Sequence, residues 1–171
     1  MRFWDSSAIV PLVVAEASSK WFAGLRDLDP EMLVWWATPV ECAAAFARRE
    51  REGDSPEVLE RARRQLAVLA GAWHEVLPVE EVRRNATRVL GRYPLRTGDA
   101  LQLGAAMAAR GDDAGSSMEF VCADERLSAA ARGEGFVIPE RGVARERAPA
   151  RYAAGRAGSA KGKRRRQLPR I

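Results

Sequence analysis

The sequence predicts an α/β domain with a central parallel sheet flanked by helices, and three observations predict it. Short apolar runs of strand length alternate with longer amphipathic stretches between residues 3 and 138, which is the pattern of βα units. Met32-Leu33-Val34-Trp35-Trp36 is apolar without a break, as a strand covered on both faces requires. Acidic residues stand where apolar runs end or the next helices begin, the edge at which open parallel sheets place their ligands.

Taken in order, Phe3-Trp4 reads as a first strand ending at Asp5. A helical segment follows, started or bent by Pro11. A second helix runs from Ser18 or Ser19 through Trp21, Phe22 and Leu25 and stops before Asp29-Pro30. After the apolar run, Thr38-Pro39-Val40-Glu41 has the form of a capping box, with Thr38 as cap, Pro39 at the first helical position and Glu41 three residues on. That helix continues through Cys42, Ala45 and Phe46 to a charged end, and Gly53 stops it. Ser55-Pro56 begins a fourth helix with Leu59, Ala62, Leu66, Leu69, Ala70 and Trp73 on one face.

Glu75-Val76-Leu77 reads as a short strand and Val79 to Leu90 as another amphipathic helix. Thr97-Gly98-Asp99 opens a helix, Ala100 to Ala109, that is apolar nearly all round and rich in small residues, so it should be buried against the sheet. Asp112 to Ser117 is a polar loop. Phe120-Val121-Cys122-Ala123 is a strand ending at Asp124, Leu127 to Ala131 is helical, and Phe136-Val137-Ile138 is a last short strand before Pro139.

At 171 residues the chain is long enough for a sizeable core, and 47% hydrophobic with 30% charged residues is a globular composition. No run approaches the roughly 18 consecutive apolar residues of a membrane span, and the first residues lack a signal-peptide pattern, so no membrane association and a cytoplasmic location are expected. Cys42 and Cys122 are widely separated in apolar surroundings, as in a reduced protein. With His74 the sole histidine, Cys/His zinc sites and a Ser-His-Asp triad are disfavoured, which leaves carboxylates to carry the chemistry.

The charge is unevenly spread. Eleven of the 28 Lys and Arg but only Glu140 and Glu146 of the 23 acids fall in residues 140–171. A mildly acidic domain, 1–139, therefore carries a basic tail, 140–171, expected to be disordered. The tail would either hold nucleic-acid phosphates by counterion release or serve only to solubilise.

Asp5, Glu41, Asp99 and Asp124 lie at strand C-termini or helix N-termini, which share one edge of a parallel sheet. Each has a structural reading as well: Asp5 and Asp124 as helix caps, Glu41 in its capping box, and Asp99 as a favourable charge at a helix start. Four converging acids would repel unless a cation neutralises them, and an all-oxygen set suits Mg²⁺ or Mn²⁺.

Four segments carry a resemblance: Phe3-Trp4-Asp5-Ser6-Ser7-Ala8-Ile9-Val10, Pro39-Val40-Glu41, Leu95-Arg96-Thr97-Gly98-Asp99-Ala100-Leu101-Gln102-Leu103 and Val121-Cys122-Ala123-Asp124-Glu125-Arg126-Leu127. In order and spacing they resemble the signature segments of PIN-domain nucleases, most of all the VapC-type toxins of toxin–antitoxin pairs. The resemblance covers residues 1–139. It implies a three-layer α/β/α fold with about five parallel strands. It also implies Mg²⁺- or Mn²⁺-dependent endonucleolytic cleavage of single-stranded RNA by activated water, homodimers and a small antitoxin partner.

Carried over residue by residue, Asp5, Glu41, Asp99 and Asp124 match the family's acidic quartet and would be both catalytic and metal-binding. Ser6 matches the hydroxyl after the first acid, and Arg96 would contact phosphate or be a surface charge. Cys122 departs from the Thr or Ser usual two residues before the last acid. Trp21, Phe22 and Trp35 would belong either to the core or to an antitoxin-binding surface.

Other classes fit less well. A phosphoryl-accepting signalling domain needs a late-strand lysine, and the only lysine before the tail is Lys20. Phosphoaspartate hydrolases need Asp-x-Asp where this chain has Asp5-Ser6-Ser7. A non-catalytic RNA-binding adaptor would tolerate loss of the acids, which are all present. An RNA-processing nuclease of the same fold with no antitoxin stays open.

Overall fold

In the computed structural model, residues 1–111 and 117–140 are described. The expected loop at 112–117 falls largely outside them and the basic tail almost wholly so. Four parallel strands, β1 (Arg2–Trp4), β2 (Met32–Trp35), β3 (His74–Val76) and β4 (Phe120–Val121), form one sheet in the order β3-β2-β1-β4. Seven helices connect them: α1 (Ser6–Val13), α2 (Ser19–Leu28), α3 (Thr38–Arg51), α4 (Pro56–Ala70), α5 (Glu80–Leu90), α6 (Thr97–Arg110) and α7 (Glu125–Gly133).

Alternation along each strand builds two cores, because successive side chains leave opposite faces of a sheet. Phe3, Leu33, Trp35 and Phe120 face one way, onto Val82, Ala86 and Val89 of α5, Leu103 and Ala106 of α6, and Leu127 and Ala131 of α7. Trp4, Met32, Val34 and Val121 face the other way, onto Ile9 of α1, Phe22 of α2, Phe46 of α3, and Leu59 and Leu66 of α4. The result is three layers, α/β/α. Each fully buried large apolar side chain contributes about 1.5–3 kcal/mol, and across β1 and β4 the Phe3 and Phe120 rings stack at 5.2 Å.

The strand order sets the position of everything that follows. From β1 the chain steps outward to β2 and β3 with α1–α4 on one face. It then returns to lay β4 on the other side of β1, with α5–α7 on the opposite face. Right-handed crossovers require that change of face when the direction reverses. The reversal leaves a crevice beyond the carboxyl ends of β1 and β4.

Two expectations need correction. Phe136-Val137-Ile138 does not form a strand: only an isolated parallel bridge joins Val137 to Glu119, so four strands stand where about five were expected. Thr38 is not a cap: Ala37 occupies that position, no side chain caps α3, and Thr38 is a fully buried first residue of the helix. Glu41 therefore closes no capping box, and its carboxylate is turned elsewhere. Phe22 and Trp35 lie in the core, and Trp21 packs edge-on against Phe22 at 4.7 Å. Among the described residues no helix is long and apolar enough to cross a membrane.

One close approach fixes α6. A Cβ at Gly104 would stand 2.8 Å from both the Ala86 nitrogen and the Val82 carbonyl oxygen of α5. Only a residue without a side chain lets the two backbones meet so closely.

Candidate active site

Asp5 leaves β1 in extended conformation, and its N–H continues the ladder by donating to the Val121 carbonyl at 2.9 Å. The residue is 4% exposed. Its Oδ2 accepts from the Ser7 N–H at 2.9 Å, from the Ser7 hydroxyl, and from the Cys122 thiol at 3.8 Å. Ser7 Oγ in turn accepts from the Ala123 N–H at 2.9 Å. One hydroxyl thus ties the start of α1 to the exit of β4 with the carboxylate between them. Among the described residues, no hydrogen bond is made to Asp5 Oδ1. Burial pushes the carboxyl above its ordinary range, the Ser7 bonds pull it back, and the Asp99 charge raises it further.

Glu41, in the first turn of α3, accepts from Gln102 Nε2 at 2.6 Å through Oε2. Its carboxyl is also raised, first by burial and then by the charges of Asp5 and Asp99, while the Gln102 amide and the nearby Ser6 hydroxyl favour the ionised form. Its Oε1 lies 3.9 Å from where a Cβ of Gly98 would sit, against the start of α6. Asp99, in that first turn of α6, accepts from the Arg96 N–H at 3.3 Å. The Arg96 side chain is exposed.

Asp124 caps α7, its Oδ1 accepting from the N–H groups of Arg126 at 2.8 Å and Leu127 at 2.9 Å. It connects to the other acids through Cys122, whose sulfur accepts from the Asp124 N–H at 3.2 Å. That thiol is buried and pushed up to about 12, first by desolvation and then by Asp5, so it acts as a neutral packing and hydrogen-bonding group and not as a nucleophile.

At one sheet edge Asp5 therefore feels the charge of Asp99, and Glu41 those of Asp5 and Asp99, although the three come from segments 36 and 58 residues apart in sequence. Asp124 borders them. Asp5, Asp99 and Asp124 have each turned an oxygen toward a local donor and Glu41 one toward Gln102 of α6, and as placed, no three acidic, thiol or imidazole side chains among the described residues are grouped tightly enough to hold an ion. His74 is exposed and level with Leu33 on β3, two residues short of the carboxyl edge.

Two contributors escape a reading of the sequence. Ser7, the second of two serines, tethers Asp5, whereas Ser6 stands near Glu41. Gln102 is the one polar side chain in the apolar run Ala100–Ala109, and that oddity was the available signal.

No protein-family model matches the chain, and no curated protein matches it. Solved structures do. A toxin–antitoxin complex from Klebsiella pneumoniae aligns with TM-score 0.56 at 14% identity, covering 82% of this chain and 97% of that one. VapC20 of Mycobacterium tuberculosis, described as a sarcin-ricin loop cleaving toxin, aligns with TM-score 0.55 at 18% identity over 80% of this chain and 97% of its own. FitAcB from Neisseria gonorrhoeae gives TM-score 0.56 and 14% identity over 82% and 97%. The fold is that of VapC-like PIN domains.

Proposed function

We propose that this chain is a divalent-metal-dependent endoribonuclease, the toxin of a toxin–antitoxin pair, with Asp5, Glu41, Asp99 and Asp124 as its working acids. The observation that carries the reading is the convergence of Asp5, Glu41 and Asp99 beyond the carboxyl end of β1, where burial raises the Asp5 and Glu41 carboxyls first, then Asp99 raises Asp5, and Asp5 and Asp99 raise Glu41. The similar solved structures that bear toxin descriptions support the toxin assignment, and the sarcin-ricin loop named for one of them supports RNA as substrate.

By its chemistry, though not by its spacing as placed, the donor set suits a hard cation. It is all oxygen, it concentrates negative charge at low exposure, and that charge disfavours the ionised fold until a counter-charge arrives. Asp5, Glu41 and Asp99 would hold Mg²⁺ or Mn²⁺, with Asp124 bordering the site. When bound, such an ion supplies Lewis-acid chemistry, acidifying water and offsetting charge on a phosphodiester.

The protein's own groups do the rest. Ser7 holds Asp5 Oδ2, leaving Oδ1 for the ligand. The Gln102 amide, donating to Glu41 at 2.6 Å, favours the charged form that a cation would take. Ser6 stands near Glu41 and helps keep it charged. Arg96, exposed at the start of α6, contacts backbone phosphate. Attack by water, not by the ribose 2′-hydroxyl, leaves 5′-phosphate and 3′-hydroxyl ends. An antitoxin partner, a homodimer and a cytoplasmic setting belong to the same proposal.

The test is cleavage of total cellular RNA by partner-free protein with Mn²⁺ or Mg²⁺, against EDTA, followed by end-group analysis. Metal-dependent cleavage with 5′-phosphate ends is expected. Cyclic phosphate ends, or no cleavage under any metal, would overturn the mechanism.

A further inference from the structure

We propose that Gln102 is a positioning residue whose amide holds the Glu41 carboxylate within the acidic cluster, an inference that rests on the carboxylate-site reading above. Gln102 is 1% exposed in α6, among the fully buried Leu103, Ala105 and Ala106 of the same helix. A buried amide is costly unless its polar atoms are paired. Here only half of it is. Nε2 donates to Glu41 Oε2 at 2.6 Å and approaches Thr38 Oγ1 at 3.4 Å, whereas Oε1 has no partner.

An amide serving the core alone would satisfy both ends or be replaced by leucine. This one leaves its carbonyl unpaired in order to aim its donor at a carboxylate. The reversed amide would set two acceptors 2.6 Å apart, so the negative charge on Glu41 fixes its orientation.

The link spans the two helices that carry Glu41 and Asp99. Thr38 is one turn before Glu41 on α3, and Asp99 is one turn before Gln102 on α6. The Glu41 side chain is half-buried, and like charges on Asp5 and Asp99 push against its ionised form. Neutral and strongly donating, the amide opposes that push without adding the full positive charge that would compete with a cation. Thr38, with its helix start buried, sets the lateral position of the amide.

The experiment is calorimetric titration of the full chain with Mn²⁺, alongside thermal melts in its absence. Gln102→Leu removes the amide at similar volume and eliminates the unpaired carbonyl. Its melting midpoint should stay level or rise, while Mn²⁺ affinity falls about 10- to 100-fold, as when supporting partners of metal ligands are lost. Adding Gln102→Leu to Glu41→Gln should cost nothing further, because the two act as one unit. Gln102→Asn, which keeps an amide one methylene short, should also lose affinity and serves if the leucine variant does not fold.

Native Mn²⁺ affinity in a folded Gln102 variant would overturn the proposal, as would a lowered midpoint with affinity unchanged. If the unaltered protein binds no Mn²⁺, the carboxylate-site reading falls and this one with it. That outcome is distinct from a failure confined to Gln102.

Discussion

Replacing Asp5 with asparagine separates a site carboxylate from a helix cap. The side-chain oxygen of asparagine still accepts from the Ser7 N–H, and asparagine caps helices as well as aspartate does, so the start of α1 is preserved. What disappears is a negative charge at 4% exposure, close to Asp99 and Glu41. Burial and Asp99 together raise this carboxyl even after the Ser7 bonds have pulled it down. At neutral pH such a rise weighs against the ionised fold.

The cation-free variant should therefore be more stable than the native protein, with a higher melting midpoint. Mn²⁺ should reverse the ranking. At about 100 times its dissociation constant a ligand stabilises the native protein by about 2.7 kcal/mol, and the variant should gain little. RNA cleavage should fall by about 100-fold or more, since supporting groups alone account for 10- to 100-fold in metal sites. Melts at neutral pH with and without Mn²⁺, plus a cleavage assay, read all three. A variant less stable than native without cation, or shifted equally by Mn²⁺, would refute the reasoning and return Asp5 to the role of a cap.

Folding raises the proton affinity of Asp5 and Glu41 above their ordinary values of 3.8 and 4.5. The folded state thus binds more protons than the unfolded one, and stability from this source is greatest below those values and is lost as pH climbs through the raised folded ones. Without cation, the native protein should lose more stability from about pH 4 to about pH 7 than Asp5→Asn/Glu41→Gln does; equal slopes in urea unfolding would remove these acids from the account. Gly104→Ala should destabilise by about 1–3 kcal/mol through the clash with α5, less about 1 kcal/mol of gained helix propensity. It should also reduce cleavage, because α6 carries Asp99 and Gln102. Gly24→Ala in α2, where a Cβ meets nothing within 4 Å, should stabilise by up to about 1 kcal/mol, and a Gly104 variant behaving like it would show that the helices do not meet as described.

Much of this protein is written locally in its chain. The alternation of apolar runs with amphipathic stretches marks four of the five expected strands and all seven helices, because side-chain period is a property of neighbouring residues. The apolar run at Met32–Trp35 announces a sheet covered on both faces, as its four buried residues confirm. Asp5, Asp99 and Asp124 are legible as acids at element ends for the same reason. The fifth strand failed because Phe136–Ile138 meets its neighbour at a single bridge, and no local signal measures the length of a pairing.

Tertiary structure alone decided how those ends are combined. The order β3-β2-β1-β4, with its reversal beside β1, follows from which helices pack on which face, and no window of sequence contains that choice. Glu41 reads locally as a capping box, yet a buried amide 61 residues away takes its carboxylate instead. Likewise Ser7, not its neighbour Ser6, reaches both Asp5 and the Ala123 N–H because the exit of β4 lies on that side. Hydrogen bonds between distant segments depend on positions that exist only once both cores have closed around the sheet.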